Sequence, residues 1–299
     1  MHRYRRGVSG TVLALVLLSA LLHAGWSASI KGSLNPLAFN ATQTAISVPL
    51  CLLGLLGFEL GDLSGRVLAF LAATSVAHGL YFYWLSRALE HADLTLAYPI
   101  VRSTPALLPL LGIPLLGETP SPLGALGIAI VVGGIWGVQG GGLSWRSLAA
   151  PELRFAWLTL LATVGYSLAD KAAMTELAGS AWRGPLPPAL AWFCLISLGC
   201  TPLFLALTLR RVSRAELAAS LRRDSGRAAA AFAVSCAGYG LILEAFRSAP
   251  ASYVVAARQT SVLFAAWIGV AFLGERPNRR RLLGAAASVV GVALISWGG

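Results

Sequence analysis

Two arginines stand inside long apolar runs, where water is not at hand to solvate a charge. Arg102 lies about eight residues into the run 94–116 and Arg258 about eight into the run 250–273. At about 1.5 Å per helical residue each sits roughly 12 Å along its run, near the middle. A guanidinium presents five N–H donors in a planar fork that matches a carboxylate or a phosphate. Tyr98 precedes Arg102 by four residues and so shares its helical face. The carboxylates within comparable runs are few: Asp170, Glu244, and Glu176 at the end of its run, with Lys31 and Lys171 adding positive charge. Cations at least match anions, so a cavity formed by these residues favours an anionic or zwitterionic ligand. The candidate binding residues are therefore Arg102, Arg258, Tyr98, Trp26 and Tyr239, and the candidates for proton or charge coupling are His23, Asp170, Lys171 and Glu244. Each has a purely structural alternative. The arginines can pair with a local carboxylate or carbonyl, Asp170 and Lys171 can be a neighbouring pair, and His23 can bond a facing helix.

The elements that hold these residues must live in lipid. Of 299 residues 57% are hydrophobic and 12% charged, half the charged share of an ordinary soluble domain, roughly a quarter. Ten apolar runs are long enough to cross a bilayer: 8–29, 36–57, 66–88, 94–116, 122–140, 154–176, 187–209, 227–247, 250–273 and 281–298. Asn35-Pro36, Gly61-Asp62, Gly117-Glu118-Thr119-Pro120 and Ala249-Pro250 punctuate them. The first run follows Arg3, Arg5 and Arg6 and has a second reading as a cleaved signal peptide, against which stand its length, the bulky Trp26 and the nine runs that follow. The net charge of +11 comes from arginines clustered between runs, as in loops facing anionic headgroups, and no basic-aromatic motif points to nucleic acid. Cys51, Cys194, Cys200 and Cys236 all fall inside apolar runs without metal-ligand spacing. No H-E-x-x-H or P-loop motif implies a metal or nucleotide cofactor.

The chain also contains a diluted copy of itself. A gapless shift of 157 positions lays Leu116-Gly117-Glu118-Thr119-Pro120 on Leu273-Gly274-Glu275-Arg276-Pro277, and pairs Gly127 with Gly284 and Gly134 with Gly291. The natural joint is the polar stretch 139–153, giving a first five-helix repeat over 1–142 and a second over 143–299. An odd number of spans per copy forces the second to enter the membrane from the opposite side. The expected fold is thus an all-α integral membrane protein of ten transmembrane helices in two inverted repeats. The shift also sets Arg258 beside Val101, one position from Arg102. Pro99, Pro105, Pro109 and Pro114 crowd the fourth run, while the ninth has only Pro250 at its start; kinks are expected in the former. The matched glycines read as close-packing positions. Arginine counts favour both termini outside, with 210–227 cytoplasmic.

At His23-Ala24-Gly25-Trp26 with Lys31, Ala97-Tyr98-Pro99-Ile100-Val101-Arg102, Gly117-Glu118-x-Pro120, Ala257-Arg258-Gln259-Thr260-Ser261 and Gly274-Glu275, the chain resembles the EamA-type ten-span branch of the drug/metabolite transporter superfamily. The resemblance implies a central cavity between repeats and export or exchange of small metabolites. Similar sequences often carry Asn after the tryptophan and Glu after the second arginine, where this chain has Ser27 and Gln259. The expectation is a secondary transporter, embedded in the cell membrane and acting on a small-molecule substrate by alternating access. Its rivals are a flippase for a lipid-linked substrate and an intramembrane enzyme. Against the enzyme, neither Gly25-Trp26-Ser27-Ala28-Ser29 nor Gly165-Tyr166-Ser167-Leu168-Ala169 closes a nucleophile elbow with glycine.

Overall fold

The computed structural model describes residues 8–31, 33–91, 94–139, 148–180, 182–264 and 279–298, with the side chains at 28, 31, 91, 94–96, 98, 138, 139 and 281, Lys31 and Tyr98 among them, outside the description. Among the described residues the chain is all-helical. In order the helices are α1 (Gly10–Lys31), α2 (Pro36–Gly54), α3 (Gly65–His91), α4 (Leu94–Val101), α5 (Thr104–Leu116), α6 (Pro122–Gln139), α7 (Arg154–Ala178), α8 (Pro188–Thr208), α9 (Arg214–Phe246), α10 (Ala251–Arg258) and α11 (Arg279–Gly298). A bilayer leaves no water for backbone amides, so an apolar run must close its hydrogen bonds internally as helix. Six of the segments are long and apolar enough to cross a membrane by themselves: four are α1, α2, α3 and α8, a fifth is formed by the consecutive stretch Pro99–Leu116, and the last is α9. Asp170 and Lys171 interrupt the apolar run of α7, and α6 and α11 offer shorter ones. Leu53, Leu56, Leu110, Leu115, Leu283 and Val290 are exposed, as lipid-facing side chains are.

Two runs that the sequence presents as continuous are broken. Between α4 and α5 the chain turns at Arg102 and Ser103, where the Ser103 amide reaches back only three residues to Ile100 O. Pro105 brings no N–H to the ladder and biases Thr104 away from helix. The Ser103 hydroxyl bonds the Pro99 carbonyl at 2.6 Å, and Trp136 Nε1 donates to that hydroxyl at 2.9 Å. After α10 the same three-residue reach recurs at Gln259 and Thr260, and Thr260 Oγ1 bonds Ala257 O at 2.8 Å. The 157-residue shift carries one break onto the other, although the second has no proline.

Packing between the halves is reciprocal. α1 lies on α9 as α3 lies on α7, α2 lies on α9 as α3 lies on α8, and α2 meets α8. The largest of these contacts joins α6 to α11 through glycine. A Cβ on Gly127 would stand 2.5 Å from Gly291 O, and one on Gly134 would stand 2.9 Å from Gly284 O. Each glycine meets the shift equivalent of the other, so the two helices run antiparallel about a local two-fold. These glycines do serve close packing, as their spacing suggests.

At 33 residues α9 is about 50 Å long, beyond the roughly 30 Å of hydrocarbon. Its first turns therefore stand in water, started by a capping box in which Ser213 and Glu216 bond each other's backbone amides. There the buried carboxylate of Asp224 pairs with Arg223 at 2.8 Å and Arg227 at 3.4 Å, and hydrogen bonding from Arg223 holds it below the usual carboxylate range. Arg227 also donates to Ser29 O at 2.9 Å, tying α9 to the end of α1.

Candidate substrate site at a broken helix

The position of Arg258 is set from the far end of its short helix. Glu118, in the loop after α5 and 2% exposed, accepts from the Ala251 amide at 2.5 Å, the Ser252 amide at 3.2 Å and the Ser252 hydroxyl at 2.6 Å. A carboxylate here satisfies amides that have no partner in the first turn of α10 and lies at the positive end of the helix. Tyr253 Oη accepts the Ser121 amide at 2.8 Å, a second tie to the same loop. The Gly-Glu-x-Pro motif that marks the repeat is thus the clamp for α10; its second copy, with Glu275, lies outside the described residues.

Arg258 closes α10 and lines a cavity of about 80 Å³ among α1, α2, α3, α7, α8, α9 and α10. Its guanidinium lies 5.3 Å from the centre of the Tyr239 ring and 3.4 Å from His23 Nδ1. Its Nε is buried without a hydrogen-bond partner. The walls are aromatic. His23 stacks on Trp26 at 5.3 Å, and His78 stacks on Tyr166 at 4.0 Å. Trp26 is held by its Nε1 bond to Gln43 at 3.1 Å, while Ser47, Ser197 and Ser235 add hydroxyls.

Behind Tyr239 sits Asp170, fully buried. Its Oδ1 accepts from Thr74 Oγ1 at 2.7 Å and Trp192 Nε1 at 3.0 Å, and its Oδ2 accepts from Tyr239 Oη at 2.5 Å. His78 Nδ1 is 3.0 Å from Thr74 O and shares the Thr74 side chain. With the Thr74 hydroxyl given to Asp170, the tautomer consistent with this network has Nδ1 donating to the carbonyl.

The structure thus brings Arg258, Trp26, Tyr239 and His23 to one cavity and sets Asp170 directly behind it. Arg102 is not among the lining residues; its Nη1 donates to Ser261 Oγ at 2.9 Å, so it joins the two helix breaks. Lys171 turns away from its neighbour Asp170 and donates to Phe246 O, capping the last turn of α9. Glu244 is half-exposed at the end of α9 and paired with Arg247 at 3.1 Å. Tyr98 lies on α4, with its side chain outside the described residues. Thr74, Trp192 and Gln43 were missed by sequence reasoning. The spacing of Thr74 and His78, four apart in an apolar run, was the available signal.

Comparison with solved structures shows the fold is shared: one crystal structure superposes with a TM-score of 0.65 at 17% identity, covering 97% of this chain and 98% of the other. No curated protein matches the sequence at a significant level. The model of the EamA-like transporter family matches residues 10–139 and 183–297, two segments that contain both helix breaks, the Glu118 clamp and the cavity residues other than Tyr166. The chain belongs to the EamA-like transporter family, and is a multi-pass membrane protein of a transporter family rather than of an enzyme family.

Proposed function

We propose that the protein is a secondary active transporter, an exporter or exchanger, of a small anionic or zwitterionic metabolite in a bacterial inner membrane. The observation that carries this reading is Arg258: a half-buried guanidinium at the end of a broken helix, facing an aromatic cavity with its Nε unpartnered. A ligand carboxylate or phosphate there offsets the desolvation of the cation. The reciprocal helix packing and the exchanged glycine pairs support ten spans in two inverted repeats, over 1–142 and 143–299, that rock about the cavity. The arginines at 210–227 favour a cytoplasmic position for that segment.

Purified protein in liposomes, screened over amino acids, organic acids and cationic drugs with and without a pH gradient, tests the reading. Uptake of an acidic or zwitterionic compound that is lost in Arg258→Ala is the expected result. Transport confined to cationic drugs, or an Arg258→Ala protein that inserts normally and transports at the parental rate, refutes the anion site.

A further inference from the structure

The cavity has a buried carboxylate behind its wall, and one hydroxyl connects the two. We propose that this transporter carries a proton in the same direction as its anionic substrate, with Asp170 as the proton site and Tyr239 as the switch that reports the proton to the cavity. The proposal rests on the anion-site reading above and adds its coupling ion.

The two oxygens of Asp170 are not equivalent. Oδ1 is held by the Trp192 indole, which can only donate, and by the Thr74 hydroxyl. Oδ2 is held by Tyr239 Oη, which can donate or accept. Oδ1 already accepts from two donors and Oδ2 from one, so a proton enters at Oδ2, where the bond reverses: the carboxyl O–H donates to the tyrosine oxygen. Tyr239 keeps its own hydrogen, which must turn away from Asp170. Tyr239 lines the cavity, so that hydrogen becomes a donor beside the guanidinium stacked on the same ring. The deprotonated site offers an anion Arg258 alone; the protonated site offers Arg258 and the Tyr239 hydroxyl.

Charge leads to the same sign. In the empty site the Arg258 cation and the Asp170 anion face each other across one phenol ring. An arriving anion leaves this low-dielectric region one negative charge in excess, and a proton on Asp170 removes the excess. Each ligand thus raises the affinity for the other by the same factor. A cationic substrate would expel the proton instead, so the sign of coupling follows from the charge carried. Among the described residues, the other titratable or charged groups around Asp170 and the cavity are His78 and Tyr81 of α3, Tyr166 and Lys171 of α7, Cys200 of α8 and His23 of α1, besides Tyr239 on α9, Arg258 on α10 and Arg102 between α4 and α5. His78, bonded to the same Thr74, is the rival proton site.

Benzoate, a minimal aromatic carboxylate, serves as probe for protein in lipid nanodiscs between pH 6 and 9. Calorimetry measures its affinity, and infrared difference spectra follow the C=O band of a protonated carboxyl. With one proton bound per anion, affinity falls by up to tenfold per pH unit above the titration midpoint. The expected dependence is lost in Asp170→Asn, weakened in Tyr239→Phe and kept in His78→Gln; the carboxyl band disappears only in Asp170→Asn. Benzoate binding that needs Arg258 but is the same at every pH refutes the coupling and leaves the anion site standing. A pH dependence lost in His78→Gln and kept in Asp170→Asn assigns the proton to His78 and also refutes the proposal. No benzoate binding at any pH refutes the proposal and the anion site together.

Discussion

Replacing Glu118 with alanine should loosen α10 although Glu118 touches no substrate. The carboxylate accepts three hydrogen bonds, two from amides of the first turn and one from Ser252, and both residues of that turn are fully buried. A hydrogen bond to a charged group contributes about 1.5–3 kcal/mol, and an orphaned buried donor costs about 1–3 kcal/mol. The three bonds share one acceptor and do not add, so the expected loss for Glu118→Ala is about 3–5 kcal/mol. At roughly 2 °C per kcal/mol for a chain of this size, thermal unfolding in detergent should move down by about 6–10 °C. Glu118→Gln keeps one acceptor oxygen and should lose about half as much. Ser252→Ala should cost about 1–2 kcal/mol, and the double variant less than the sum of the singles. Because α10 is only eight residues long, loss of the clamp at one end should also displace Arg258 at the other and weaken transport in protein that still inserts. A Glu118→Ala protein with unchanged melting, or singles and double that simply add, refutes the clamp.

Gly127→Ala should destabilise by about 1–3 kcal/mol in the same melting assay, since its Cβ meets the Gly291 carbonyl. Gly133→Ala on the same helix has nothing within 4 Å and should be neutral or slightly stabilising. Lys171→Met should cost about 1.5–3 kcal/mol by orphaning the buried Phe246 carbonyl. For transport, Arg258→Lys should recover only part of what Arg258→Ala loses, since an ammonium lacks the planar fork. Arg102→Ala should act by slackening the link to Ser261, lowering melting temperature as well as rate.

Each apolar run of the sequence coincides at least in part with helix among the described residues, because lipid gives an apolar backbone no other way to satisfy its amides. The breaks at Arg102 and Gln259 were less visible. Pro105 marks the first but reads equally as a kink, and the second has no proline, only a position equivalent to the first. For the site, that Arg258 stands within an apolar run was legible from counting residues. What surrounds it was not, since Asp170 meets Thr74, Trp192 and Tyr239 across 96, 22 and 69 residues of chain. Glu244 falls inside an apolar run by count, while α9 ends at Phe246 and its last turn sets the carboxylate beside Arg247. Glu118 was noticed as punctuation, while its role depends on an amide 133 positions away.

The glycine seam between α6 and α11 also ties what one helix can tolerate to the backbone of the other. Gly127 meets Gly291, which stands 157 positions beyond Gly134, and Gly134 meets Gly284, which stands 157 positions beyond Gly127. A side chain added at Gly127 or Gly134 is met at once by a carbonyl of α11, so neither position can enlarge alone. The positions 157 beyond Pro105, Pro109 and Pro114 carry Val262, Ala266 and Ala271. The seam is thus a place where backbone meets backbone and sets the distance between two helices, while proline usage is not carried from one apolar run to the other.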